Sequence, residues 1–186
     1  MSAAPVTTPT EAFKTAFTRF AATVSVITYA DAEGDPAGMT ATAMCSLSLS
    51  PLSLLVCVNR ENRSHGEIVQ SGRFGVNMLA AGQQHVANHC SRPGSDKRIP
   101  TSWLRADPEG VAPIIDGAVA HIGCELGQAH DAHTHSIFVG HVSHVWLGPD
   151  APPLLYCNRS YRRFDDVGDD EAMQRVWDRV AFGSLS

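Results

Sequence analysis

The chain has 186 residues, a one-domain length. Hydrophobic residues make up 44% and charged residues 18%, proportions that exclude a disordered chain. The net charge of -5, from 14 basic and 19 acidic residues, excludes the broad basic face that nucleic acid requires. No apolar run approaches the roughly 20 residues of a membrane span, so neither nucleic acid nor membrane is expected as a partner. Glu11, Lys14 and Arg19 interrupt any signal-peptide core, and a cytoplasmic location follows as an expectation. The five cysteines then sit in a reducing compartment, and none forms a C-x-x-C pair. Four of them (of Cys45, Cys57, Cys90, Cys124 and Cys157) lie in apolar stretches and read as buried small hydrophobes.

The first predicted element is a helix. Thr8-Pro9-Thr10-Glu11 is a capping box with proline at the first helical position. Phe13, Ala16, Phe17 and Phe20 follow at helical spacing and define one apolar face. Thr23 to Tyr29 is rich in β-branched residues and ends in the turn cluster Asp31-Ala32-Glu33-Gly34-Asp35-Pro36. Residues 37–49 are small, polar and strand-compatible, and Pro51 ends them. Leu54 to Val58 is a short apolar run, read as a strand buried on both faces. Residues 64–70 and 83–90 predict short helices, and the alternation around Phe74, Val76 and Met78 predicts a half-buried strand between them.

Residues 91–116, with four prolines, read as a long excursion of the kind that often carries function. Two long strands follow, one through Ile122, Cys124 and Leu126 and one through Ile137, Val139 and Val145. A short strand at Leu154-Leu155-Tyr156 comes last. Asp169 and Asp170 then open a predicted helix with Met173, Val176, Trp177 and Val180 on one face. Six or seven strands with few helices and no βαβ rhythm predict a mainly β fold: an antiparallel sheet closed into a barrel, with helices outside. The expected organisation is a single domain over residues 1–186, with a helix at about 8–20, the barrel at about 22–160 and a helix at about 169–181.

Dinucleotide and P-loop phosphate motifs, the nucleophile elbow and the zinc helix H-E-x-x-H are all missing. Two constellations remain. In the first, residues 38–51 (GMTATAMCSLSLSP) combine small side chains, which let a flat ligand approach the backbone, with hydroxyls that can hydrogen-bond ring heteroatoms. Arg60 or Arg63, with Ser64 and His65 at a helix start, can hold a phosphate. The same segments equally fit an ordinary strand followed by a capped surface helix. The second constellation is the set His121, His130, His133, His135, His141 and His144. His133-x-His135 places two imidazoles on one strand face, as metal ligands or as plain hairpin residues. A cupin-type site would need a glutamate soon after, and residues 136–140 supply none, so no metal is expected.

Taken in order, five segments resemble the short-chain flavin reductase family, the reductase components of two-component flavin monooxygenases. They are Phe17-Thr18-Arg19-Phe20-Ala21 before the β-rich run; residues 38–51; residues 71–79 (SGRFGVNML); Ile137-Phe138-Val139-Gly140-His141-Val142; and Pro153-Leu154-Leu155-Tyr156 with Tyr161-Arg162. The resemblance spans roughly residues 12–163. It implies a split β-barrel that binds FMN or FAD as a homodimer. The implied activity is hydride transfer from C4 of NADH or NADPH to flavin N5, with the reduced flavin passing to a separate monooxygenase.

It also implies roles for residues. Met39, Thr40, Ala41, Thr42, Ser46, Leu47 and Ser48 would meet the isoalloxazine and ribityl chain. Asn59, Ser64 and His65 would reach the ribityl phosphate, with Lys97 as a phosphate partner. Tyr161 and Arg162 would close the site. His135, the last residue of the family's Gly-Asp-His motif, would lie beside the nicotinamide as the catalytic residue. His133 and Thr134 replace the glycine and aspartate of that motif, and Arg98 follows Asp96-Lys97 where the family often has an aromatic. Two alternatives stay open: a split barrel that binds flavin or heme without nicotinamide turnover, and a histidine-metal protein.

Overall fold

A computed structural model of the chain describes residues 8–92, 94 and 96–163. The helix expected over 169–181, Trp177 included, lies outside the described residues. Helix α1 spans Pro9–Thr18. Thr8 caps it, its hydroxyl accepting from the Glu11 N–H at 3.2 Å, and Pro9 opens it as the sequence predicts. Its apolar face is present but not buried. Phe13, Phe17 and Phe20 are about two-thirds exposed and stack on one another, with centroids 4.6 and 6.2 Å apart.

The strands are β1 (Ala22–Thr23), β2 (Ser25–Ala30), β3 (Pro36–Ala41), β4 (Met44–Leu49), β5 (Leu52–Asn59), β6 (Arg73–Met78), β7 (Leu104–Arg105), β8 (Ile114–Ile115), β9 (Ala120–Ala132), β10 (His135–Leu147), β11 (Leu155–Cys157) and β12 (Ser160–Arg162). Helix α2 (Arg63–Ser71) joins β5 to β6, and α3 (Gln84–Ser91) follows β6. α2 ends at Gly72, whose φ of 68° is left-handed backbone that glycine adopts without a Cβ penalty.

Seven strands form one antiparallel sheet in the order β3-β2-β6-β9-β10-β5-β4. Its two edge strands, β3 and β4, are consecutive in the chain and separated only by Thr42 and Ala43. A flat sheet cannot bring its opposite edges that close. The sheet therefore curls on itself, and because β3 and β4 do not pair, the barrel is split along that seam. The antiparallel barrel with outer helices is thus the architecture expected from the sequence.

β2 contributes to two apolar clusters because adjacent residues point to opposite faces. Ile27 and Tyr29 join Leu54, Val56, Phe74 and Phe138 on one side. Val26, with Val24 just before the strand, joins Leu79, Val86, Ile99 and Leu154 on the other. Gly140 is required by this packing: a Cβ there would lie 2.5 Å from Phe74 Cζ.

Three expectations are corrected. β6 is buried on both faces rather than one, because the loop carrying Ala112 and Pro113 covers Gly75 and Asn77. The last strand pairs with a further strand, β12, which the sequence pattern is too short to announce. Of the cysteines, only Cys90 and Cys124 are buried; Cys45 is exposed on the edge strand β4.

Candidate active site

The split in the barrel opens onto a cleft of about 1260 Å³. One wall is the end of β3 and the seam: Met39, Thr40, Ala41 and Thr42. The opposite end is built by Asn59 from β5 and by Asn62, Arg63 and Ser64 from the start of α2. Lys97 and Arg98 come from the long excursion, and Tyr156 and Tyr161 from the β11–β12 hairpin. Eight of the resemblance-derived residues therefore converge: Met39, Thr40, Ala41, Thr42, Asn59, Ser64, Lys97 and Tyr161.

The wall is fixed by satisfied polar groups. The Thr40 hydroxyl donates to the Ala87 carbonyl at 2.7 Å, tying β3 to α3. The Tyr29 and Ser64 hydroxyls bond at 2.9 Å in the buried floor, and burial raises the Tyr29 pKa. Tyr161 donates to Asn88 Oδ1 at 2.9 Å and packs edge-on against Tyr156. Asn62 makes no side-chain cap, so the first turn of α2 lines the cleft without a side-chain acceptor on its N–H groups.

Charge is concentrated at one end. The nearly buried Asp31 carboxylate accepts the backbone N–H groups of Glu33 and Asp35 at 3.1 and 2.9 Å. It also pairs with Arg98 at 3.2 Å and lies 3.7 Å from Arg63. Burial pushes its carboxyl up, but the Asp35 N–H and the Arg98 guanidinium outweigh that and hold it below the usual range. Glu33, Asp35 and Glu67 complete the network around the two arginines. Lys97 is spent elsewhere. Its ammonium donates to the Cys90 and Arg92 carbonyls at 2.7 and 2.5 Å, capping α3, and burial lowers its pKa.

The remaining expected residues lie outside the cleft lining. Ser46, Leu47 and Ser48 sit on the edge strand β4, where the register slips between Ser46 and Ser48. Ser46 and Leu47 are exposed and Ser48 is half-buried. Arg162 ends β12 and is exposed. His65 is the third residue of α2 and turns toward β10, where its Nε2 lies 2.8 Å from Ser136 Oγ. His135 opens β10 beside the hairpin tip and pairs in register with Asn59 of the cleft. Its Nδ1 is 2.9 Å from Thr134 Oγ1.

Several cleft residues carry no sequence signal. Tyr29 reads as core because it sits in a β-branched strand, and Asp31 reads as turn because it opens the cluster before β3. Asn88 and Cys90 belong to a short helix with no motif. Among the described residues, no group of three or more His, Cys, Asp or Glu side chains is placed to hold a metal. No described helix is long and apolar enough to cross a membrane.

The cleft fits a flavin on its own terms. It has the volume, a wall of small and aliphatic residues for a flat ring, hydroxyls beside it, and a helix start at one end for a phosphate. Comparison with known proteins points the same way. The model of the flavin reductase-like domain matches residues 17–165. An NADH-dependent FAD reductase of Streptomyces globisporus is 34% identical over 158 residues, covering 83% of this chain and 85% of that protein. The reductase subunit of a flavin-dependent monooxygenase from Rhodococcus jostii is 36% identical over 168 residues, covering 89% and 82%. Among solved structures, the NADH:FAD oxidoreductase of Streptomyces globisporus C-1027 with NAD and FAD fragments superposes with a TM-score of 0.80 at 31% identity, covering 89% of this chain and all of that one. The flavin reductase component of a bacterial two-component tryptophan halogenase gives 0.76 at 34%, covering 84% and 99%. This chain belongs to the flavin reductase-like domain family.

Proposed function

We propose that the protein is a reductase that uses NADH to reduce flavin and releases the reduced flavin to a separate monooxygenase. The observation that carries this reading is the cleft at the barrel seam, lined by the small-residue end of β3 on one side and the first turn of α2 on the other. When bound, the flavin supplies the hydride acceptor, and the protein supplies position and electrostatics. Met39 to Thr42 bear on the ring face. Asn59, Asn62 and Ser64 hold the phosphate end. Tyr156 and Tyr161 bound the opposite side.

His135, at the hairpin tip opposite Asn59 of β5, orients the nicotinamide. His133 takes a φ of 56°, the left-handed conformation for which glycine is suited. A tip conformation that suits the glycine of the resembled motif supports nicotinamide turnover over simple flavin storage.

NADH rather than NADPH is favoured by the names of the relatives. A homodimer is supported by Leu47, Leu49, Leu52, Val145 and Leu147, large apolar side chains left exposed on the neighbouring strands β4, β5 and β10. Anaerobic mixing with FMN or FAD and either nicotinamide tests the activity. Flavin bleaching with NADH is expected, and no bleaching above the enzyme-free control would refute it. Light scattering on the same sample gives the oligomer.

A further inference from the structure

Ser136 is the second residue of β10 and is fully buried, at a position where the strand otherwise turns Phe138 and Gly140 inward. A buried hydroxyl requires partners, and this one has two. It donates to Asp131 Oδ1 at 2.6 Å, directly across the hairpin. A carboxylate can only accept, so the hydroxyl proton is committed there, and the 2.8 Å bond to His65 runs from Nε2–H to Ser136 Oγ. The His65 ring also lies on Phe138, with centroids 5.0 Å apart. The other oxygen of Asp131 is 3.2 Å from the Arg60 guanidinium, and the Arg60 N–H donates to the Thr134 carbonyl at 3.0 Å. An unbroken run from Arg60 through Asp131 and Ser136 to His65 thus joins the hairpin tip to the first turn of α2.

The two ends of this run carry the two halves of the proposed reaction. The tip is a two-residue turn, His133-Thr134, held in left-handed backbone at His133, with His135 immediately after it. The first turn of α2 holds Asn62, Arg63 and Ser64 in the cleft wall. The backbone of the tip is tied to β9 and, through His135–Asn59 and Arg60–Thr134, to β5; the side-chain run adds the tie to α2. Hydride transfer requires the reacting atoms within about 3–3.5 Å, and a misplacement of about 1 Å can cost about 100-fold in rate.

We propose that Ser136 and Asp131 are positioning residues for hydride transfer, which lock the hairpin tip and His135 to α2 through His65. The proposal rests on the reading that His135 orients the nicotinamide. Neither residue touches the reacting atoms; both act through His135.

The test is a double-mutant cycle on the intact protein at saturating flavin, using Ser136→Ala, His135→Ala and their combination. Asp131→Ala serves as a surface variant that leaves the core intact. Ser136→Ala is expected to lower kcat/KM for NADH by about 10-fold, with flavin Kd within about twofold of wild type. Asp131→Ala follows in the same direction. In the His135→Ala background, Ser136→Ala is expected to cost nothing further. An unchanged kcat/KM in both Ser136→Ala and Asp131→Ala overturns the proposal while leaving the His135 reading standing. So does a loss that simply adds to that of His135→Ala, or one in which flavin Kd rises in parallel. If His135→Ala itself leaves kcat/KM unchanged, the His135 reading falls and takes the proposal with it.

Discussion

The cleft wall and the β9–β10 hairpin tip are built on different principles. The wall is backbone and core: Met39 and Ala41 are buried in the barrel cluster, Thr40 is bonded to α3, and Tyr29 is locked to Ser64. The tip lies at the end of the sheet, paired to β5 at Asn59, and its residues from Asp131 to His135 are exposed. Beyond that pairing, a short run of side-chain bonds through Arg60, Asp131, Ser136 and His65 ties it to α2. A wall of the first kind tolerates little change in sequence. A tip of the second kind, exposed and reached by few side chains, tolerates more.

The largest expected effect contrasts the tip with the base of the same hairpin. At the base, His121 is fully buried; burial, with some help from His144, pulls its pKa down to about 4. The unfolded chain binds a proton there near pH 6.5, the folded chain only near 4. The stabilising contribution is therefore complete above about pH 6.5 and is lost as the pH falls toward 4, a total on the order of 3 kcal/mol. Thermal melts should show Tm dropping across that interval, and His121→Gln should flatten the drop. No base-specific acid sensitivity would contradict the buried neutral imidazole.

Blocking the wall should act on flavin alone. Thr42→Trp is expected to weaken FMN and FAD binding by about 30-fold, roughly 2 kcal/mol, with Tm nearly unchanged. Equal affinity in a fluorescence titration would move the ring away from the seam. At the tip, His135→Ala is expected to raise KM for NADH by about 10-fold, with flavin Kd constant. A parallel rise in flavin Kd would erase the division of labour between the two regions. The smallest effect is His133→Gly. It relieves left-handed strain but adds unfolded-chain freedom, for a net gain of about 0.5 kcal/mol, read by chemical denaturation. A clear loss of stability would show that the imidazole holds the tip.

The barrel was legible in the sequence because its strands alternate and its turns are marked by glycine, proline and acidic residues. Helix α1 was legible down to its cap, since capping is local chemistry. The burial of β6 on both faces was not, because Gly75 and Asn77 look like solvent-side residues until the loop around Pro113 is laid over them. In the site, Met39 to Thr42 and Asn59 to Ser64 were legible as motifs. Ser46 to Ser48 belong to the same motif yet fall on β4, beyond the seam, because the chain crosses from one edge of the sheet to the other at Thr42-Ala43. Lys97 looked like a phosphate ligand, but the end of α3 captures its ammonium first. The Asp31–Arg98 pair joins residues 67 positions apart, a relation that no local pattern encodes.

The most direct test of the account is a crystal structure of the protein with FAD or FMN bound. The account predicts the isoalloxazine against Met39 to Thr42 and the phosphate at the first turn of α2. A ring bound away from the barrel seam, or a phosphate far from Asn62 to Ser64, would contradict it.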